Sequence, residues 1–228
     1  MATTSVVVFD VNETLSDLAP MAQRFADLGL SSNLAQTWFA GVLRDGFGLA
    51  AAGSSASFST IAEGVLRTLL AQQPANREPD AAVHHVLEGF SALTVHADVP
   101  AGVRALSDAG LRLVTLTNGA TEVADRLLRA AGVRDRFEHL MSVEGTDRWK
   151  PAPNPYAYAA DRCQVPASQM LMVAVHPWDV DGAARAGLRT AWIDRSGKGA
   201  YPSYFTAPDL TATGIDRLNS ELAAGASP

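Results

Sequence analysis

The chain is poor in several things, and each shortage excludes a class of function. It has a single cysteine, Cys163, so no internal disulfide can form, and no CxxC or Cys/His cluster offers a zinc site. It has no run of lysines or arginines and a formal charge of −6, which leaves no basic face for a nucleic acid. No apolar stretch reaches the roughly 20 residues of a membrane span. The opening MATTSVVVFD lacks a basic start and its apolar run stops at Asp10, unlike a signal peptide. There is no internal repeat and no low-complexity segment. These absences point to a soluble cytoplasmic protein with no nucleic-acid or membrane partner. What remains is a globular composition: 228 residues, 47% hydrophobic and 18% charged. That is enough for one large domain or for a core carrying an inserted subdomain.

Short β-branched runs mark the core. SVVVFDV is wholly apolar up to Asp10, as expected of a central strand covered on both faces. RLVTLTNG (112–119) and MLMVAVH (170–176) repeat that form, and TAWIDR (190–195) is a weaker fourth. Helical patterns lie between them: PAGVRALSDAG opens on Pro100 and closes on Gly110, TEVADRLLRAAGV stops at Gly132, and DVDGAARAGL (179–188) follows the third strand. Strand alternating with helix predicts an α/β fold with a Rossmann-like, doubly wound parallel sheet. The alternation is interrupted after the first strand. NLAQTWFAGVLRDGF, TIAEGVLRTLLAQQ and DAAVHHVLEGFSAL are helical in pattern and are separated by loops at 50–57 and 72–80. A helical cap over residues 16–97 is therefore expected, inserted into a core made of residues 1–15 and 98–228.

In open α/β sheets ligands bind beyond the carboxyl ends of the strands. Here those ends carry Asp10, Thr117 with Asn118, and His176 with Asp179, which should meet in one cleft under the inserted helices. Asp10 is a bare carboxylate closing a buried strand, an arrangement that calls for a functional reason. The plain alternative is a helix N-cap. Lys150 precedes Pro151 in a loop; its charge would keep Asp10 ionised if the two meet, though a lone lysine is usually solvated. Thr117 and Asn118 offer hydroxyl and amide donors to a carboxylate or oxyanion, or else simply cap the helix that follows. Thr14 fits either a bond to Asp10 or a turn.

A strand-end aspartate followed by Thr14, a strand ending in TN, a KP pair and a later strand ending near an aspartate together resemble the haloacid dehalogenase superfamily. The likeness spans residues 5 to about 195. Within that superfamily, TNG, KPAPNPY and WDVDGAARAG are similar to the type II L-2-haloacid dehalogenases. The resemblance implies Asp10 as nucleophile, with Asn12, Thr14, Trp38, Phe39, Thr117, Asn118, Tyr156 and Trp178 around the substrate and Asp179 positioning Lys150. For Tyr156, core packing is the alternative. The superfamily's phosphatases place a general acid two residues after the nucleophile, where this chain has Asn12. Their earlier metal-binding aspartate falls on Val175, with Asp179 on the later one and Asp181 close enough to leave the register open. Asn12 cannot exchange a proton near neutrality, and valine gives magnesium no oxygen. No cofactor and no metal is therefore expected.

Carbon–halogen displacement needs neither feature. A halide leaves without a proton, and one arginine can hold a haloacid carboxylate. Better-known members carry that arginine just after the TW pair, where this chain has Ala40. Arg44, one helical turn later, is the candidate, against the alternative of a surface arginine paired with Asp45. Many type II enzymes have asparagine where this chain has His176. A minority pair such a histidine with a glutamate three residues after the nucleophile, here Glu13. Together the two look like a base and its orienter; separately they are a core histidine and a helix-start residue. The reading is hydrolysis of short L-2-haloacids through an aspartyl ester with inversion, using a small haloacid and water, with a homodimer left open. A magnesium-dependent phosphatase and a non-catalytic small-acid binder are the competing readings.

Overall fold

The computed structural model describes residues 4–73 and 75–225. Its centre is β1 (Val6–Phe9), four apolar residues without exposed surface. On one side lie β2 (Arg112–Thr117) and β3 (Phe137–Ser142); on the other lie β4 (Met170–Ala174), β5 (Arg189–Ile193) and β6 (Leu210–Ala212). The sheet order is β3-β2-β1-β4-β5-β6 and every pairing is parallel. Val6, Val7, Val8 and Phe9 align with Arg112 to Thr115 on one side and with Met170 to Val173 on the other. Alternation along the strands then sends Val7, Phe9, Leu113, Leu171 and Val173 to one face and Val6, Val8, Val114, Met170 and Met172 to the other.

Helices cover both faces, as continuous apolar strands require. The first face packs on α5 (Val99–Asp108), α6 (Thr121–Ala130) and α9 (Ile215–Gly225); the second packs on α7 (Pro153–Cys163) and α8 (Pro177–Arg185). Two strands and several helices go beyond the sequence pattern. Strand β3 reads FEHLMS and lies at the sheet edge, so Glu138 stays exposed and blurs the apolar run. Helix α7 carries Pro153 and Pro155, which read as loop but fit a helix's first turn. Helix α8 starts at Pro177, two residues earlier than the pattern implies, for the same reason.

Between β1 and α5 the chain forms α1 (Met21–Ala26), α2 (Leu34–Ala51), α3 (Phe58–Gln72) and α4 (Pro79–Ser91). These helices share an apolar cluster of their own around Phe25, Trp38, Phe58, Leu66 and Phe90. Trp38 meets Phe90 edge-on with ring centroids 5.6 Å apart, and its indole N–H donates to the Ala62 carbonyl at 2.9 Å. The chain leaves and rejoins the sheet at adjacent points. Ser16 bridges Val95 antiparallel, Asp17 N donates to Thr94 O at 2.8 Å, and His96 N donates to Leu15 O at 3.0 Å. No helix among the described residues is long and apolar enough to cross a membrane.

Candidate active site

Strand β1 ends by delivering Asp10 into a nearly closed space, with 5% of its side chain exposed. Lys150, fully buried, donates from Nζ to Asp10 Oδ1 at 2.9 Å and to Asp179 Oδ2 at 2.7 Å. Tyr156 donates its hydroxyl to the other Asp179 oxygen at 2.6 Å. A buried ammonium is tolerable only with such partners. Burial alone would raise the Asp10 pKa, but the Lys150 charge, then the His176 bond and charge, outweigh it and hold the carboxyl well below its usual range. Asp179 goes the other way: burial, together with the nearby Asp10 charge, raises its pKa despite Lys150. Burial works against the Lys150 charge, yet the two carboxylates raise its pKa. Tyr156, buried and facing Asp179, stays a phenol and a donor.

The loop carrying Lys150 is held from β2. Asn118 accepts from Lys150 N at 2.9 Å through Oδ1 and donates to Lys150 O at 3.2 Å through Nδ2. Thr117 accepts from Gly119 N at 3.0 Å. Thr14 donates to Asp10 Oδ2 at 2.7 Å and accepts from Val175 N at 3.1 Å, tying β1's end to β4's. Gly182 is required on α8: a Cβ there would lie 2.6 Å from Pro151 Cβ and 2.7 Å from the Tyr156 hydroxyl. The register question is settled by geometry. Asp179 faces Lys150, whereas Asp181 accepts from Arg185 at 2.8 Å and from Thr206 at the surface.

On β4's side stands His176. Its Nδ1 is 3.3 Å from Asp10 Oδ2 and its Nε2 is 2.8 Å from Glu13 Oε2. Both ring nitrogens face carboxylate oxygens, an arrangement that favours the doubly protonated, cationic ring. Burial opposes that charge, but the bonds and charges of Asp10 and Glu13 prevail and lift the pKa to about 9. Trp178 stacks on the ring at 4.9 Å and Phe39 lies near-parallel at 6.5 Å, while Phe47 meets Trp178 edge-on. Glu13 reaches His176 from a left-handed backbone, φ 63°, which costs an ordinary residue about 1–2 kcal/mol. Two bonds hold that conformation: Glu13 N donates to Ser16 Oγ at 3.2 Å, and His96 Nε2 donates to Glu13 O at 3.1 Å.

Arg44 is not brought to this cluster. Helix α2 turns Trp38, Phe39, Val42 and Gly46 inward. At about 100° per residue, Arg44 falls roughly 200° from Val42. Its side chain is 74% exposed and pairs with Asp45 at 2.7 Å. The surface alternative is the one observed. Trp38 is chiefly a core residue of the helical layer, while Phe39 reaches the histidine. Residues that the motifs passed over also face the site: Ser16 and His96 support Glu13, and Arg195 donates to the Thr14 carbonyl and to Asp98 Oδ1 at 2.9 Å. Arg195 follows β5 by two residues, so the strand-end rule that flagged Asp10 applies to it equally.

Two cavities lie beside the loop that follows β1, reaching Val11 and Asn12 on one side and Glu13 on the other, with Asp10 itself in the lining of neither. One of about 150 Å³ is lined by Asn12, Phe58, Phe90, Thr117 and Ala120. One of about 720 Å³ is lined by Glu13, Phe39, Ala40, His176, Trp192 and Arg195 among others. The strand-end position that would need a metal-binding oxygen holds Val175, and an ammonium lies between Asp10 and Asp179. Among the described residues no group of three or more His, Cys, Asp or Glu side chains is placed to hold a metal.

The comparisons with known proteins bear on the family and the fold. Haloacetate dehalogenase H-2 of Moraxella sp. (strain B) is 34% identical over 131 residues, 58% of each chain, so that alignment spans little more than half of the relative's length. An (S)-2-haloacid dehalogenase of Pseudomonas putida is 26% identical over 95% of both chains. The solved L-2-haloacid dehalogenase of Xanthobacter autotrophicus shares the fold, with a TM-score of 0.86 at 24% identity over 99% of this chain and all of that one. The family model for haloacid dehalogenase-like hydrolases matches residues 4–187, and the chain belongs to that family.

Proposed function

We propose that this protein hydrolyses short L-2-haloacids to 2-hydroxy acids with inversion, through an ester on Asp10. The observation that carries the reading is the strand-end carboxylate itself: buried, held ionised by Lys150, and adjacent to a histidine–glutamate pair. An ionised, desolvated carboxylate is a nucleophile, and in-line attack on the halogen-bearing carbon needs no proton. Hydrolysis of the ester does need a base, and His176 oriented by Glu13 is placed to be one. Asp179 and Tyr156 position Lys150, which holds the negative charge of both steps. The cavity of about 150 Å³ suits a small acid. Ala120 places no side-chain cap on α6, so that helix's first N–H groups beside Thr117 are available to the substrate carboxylate, the task once expected of Arg44. In this reading residues 16–97 form the cap over a core of residues 1–15 and 98–228.

The test is halide release from each enantiomer of 2-chloropropionate, run beside a phosphatase panel, with and without EDTA. Release from the L form alone, unaffected by EDTA, is expected. His176→Ala should release about one halide per site and stall with an acyl adduct on Asp10, visible by mass spectrometry. Magnesium-dependent phosphate release without dehalogenation would replace this reading by the phosphatase one.

A further inference from the structure

The strand order has a chemical consequence at Asp10. Its two neighbours in the sheet are β2 and β4, which lie on opposite sides of β1. The smaller cavity opens over the β2 side, through Asn12, Thr117 and Ala120. The larger one opens over the β4 and β5 side, through Glu13, Val175, His176 and Trp192. His176 stands between Asp10 and the larger cavity, with one ring nitrogen on Asp10 and the other on Glu13. We infer that the site is served from two sides: substrate occupies the β2-side cavity, while the β4-side cavity is a hydrolytic chamber that takes a proton from His176 when the ester forms and then supplies the attacking water.

The inference rests on the ester pathway proposed above, and the chemistry balances. At rest Asp10 is a carboxylate and His176 an imidazolium. Attack forms the bond from an Asp10 oxygen to the substrate carbon and breaks the carbon–halogen bond, and the halide leaves with the electron pair. Asp10 is now neutral, so the Nδ1 proton has lost its anionic acceptor. It passes to water in the larger cavity. His176 keeps the Nε2 proton on Glu13 and presents a lone pair at Nδ1, beside the ester carbonyl. Water from the same cavity adds to Asp10 Cγ and gives one proton to Nδ1. The tetrahedral adduct expels the alkoxide, which takes the remaining proton of the added hydroxyl. Asp10 returns as a carboxylate and His176 as an imidazolium; the net products are hydroxy acid, halide and one proton.

The surroundings leave this exchange to His176. Glu13 holds Nε2, and Lys150 lies beyond Asp10 on its other oxygen. The other ionisable groups on the chamber are committed elsewhere. Asp17 accepts from Ala19 N, His96 donates to Glu13 O, Asp194 accepts from Ser196 and Gly199, and Arg195 bonds Asp98 and Thr14 O. Phe39 and Trp178 flank the ring without a charge. The lift of the His176 pKa to about 9 has the Asp10 bond and charge among its causes; alkylating Asp10 removes that charge and weakens that bond, while those of Glu13 remain.

Single-turnover mixing with L-2-chloropropionate in weak buffer at pH 7.5, with an indicator dye, reads halide, proton and hydroxy acid separately. The proton should appear with the halide, ahead of the hydroxy acid. Ala40→Phe, which adds bulk to the wall of the larger cavity, should lengthen the life of the ester about tenfold and leave the halide burst within about twofold. Ala120→Val, on the smaller cavity, should do the reverse. A proton that arrives only with the hydroxy acid, or an Ala40→Phe variant slowed equally in the halide step, would overturn the inference and leave the ester pathway standing. No halide or no Asp10 adduct with the parent enzyme would overturn both.

Discussion

The two flanks of Asp10 are built from different materials. On the β2 flank, Thr117 and Asn118 spend their side chains on backbone groups, and Asn118 grips both the N–H and the carbonyl of Lys150. Nothing there titrates near neutrality. On the β4 flank, His176 and Glu13 are ionisable, one of them on a strained backbone. A fixed flank suits a first step that needs only a placed cation and an ionised carboxylate. A titrating flank suits a second step that must move protons. Substitutions at four positions test that division.

Lys150→Met should do most damage. It leaves Asp179 buried without a counter-charge and Asp10 with His176 alone, and removing one partner from such a buried cluster costs about 3–5 kcal/mol. Urea unfolding at pH 7 measures it. The loss should shrink as pH falls and the carboxylates take up protons. A loss that stays constant with pH would mean that packing, not charge, holds this flank.

How much of this was legible in the sequence follows the same division. β1, β2, β4 and Asp10 are plain because a buried central strand admits little except Val, Leu, Met and one functional residue at its end. Edge strand β3 and helix α7 were hidden by tolerated exceptions, Glu138 at an exposed edge and prolines in a first helical turn. Lys150, Asp179 and Tyr156 belong to motifs with fixed spacing, and they meet. Arg44 failed because four residues along a helix sets a direction only while the side chain has no better partner, and Asp45 is adjacent. His96 and Ser16 carried no motif, since their part is to hold a backbone conformation that only coordinates reveal.

The titrating flank should show itself in a pH series. A histidine whose folded pKa is about 9, against an ordinary 6.5, contributes stability that is complete below 6.5 and lost as pH rises through 9. The advantage of the parent over His176→Gln should therefore fall by on the order of 3 kcal/mol between pH 6 and pH 10. A flat difference would return His176 to an ordinary imidazole. The strain is separable from the charge. Glu13→Gly and Glu13→Gln both lack the carboxylate, but only the first relieves the left-handed backbone, so it should be the more stable by about 1 kcal/mol. Both should hydrolyse the ester slowly. Equal stabilities would show that the left-handed backbone at position 13 costs a non-glycine residue little.

The smallest effect is expected where the sequence pointed to a large one. Arg44 is 74% exposed, and its one ion pair, with the neighbouring Asp45, is of the surface kind that contributes little. Arg44→Ala should change stability by less than about 0.5 kcal/mol. Its side chain lies outside both cavities: the larger passes through Phe39, Ala40 and Leu43 of α2 and leaves it out, and the smaller touches no residue of α2. Haloacid turnover should then stay within about twofold of the parent, as for a site with no shared partners. The informative contrast is with Ala120→Val, which narrows the opening of α6 beside Thr117. If the carboxylate is held there, KM should rise in that variant and not in Arg44→Ala. A rise in KM in Arg44→Ala, with stability unchanged, would mean that α2 turns Arg44 inward on substrate binding, and the fixed flank would then include a moving cation.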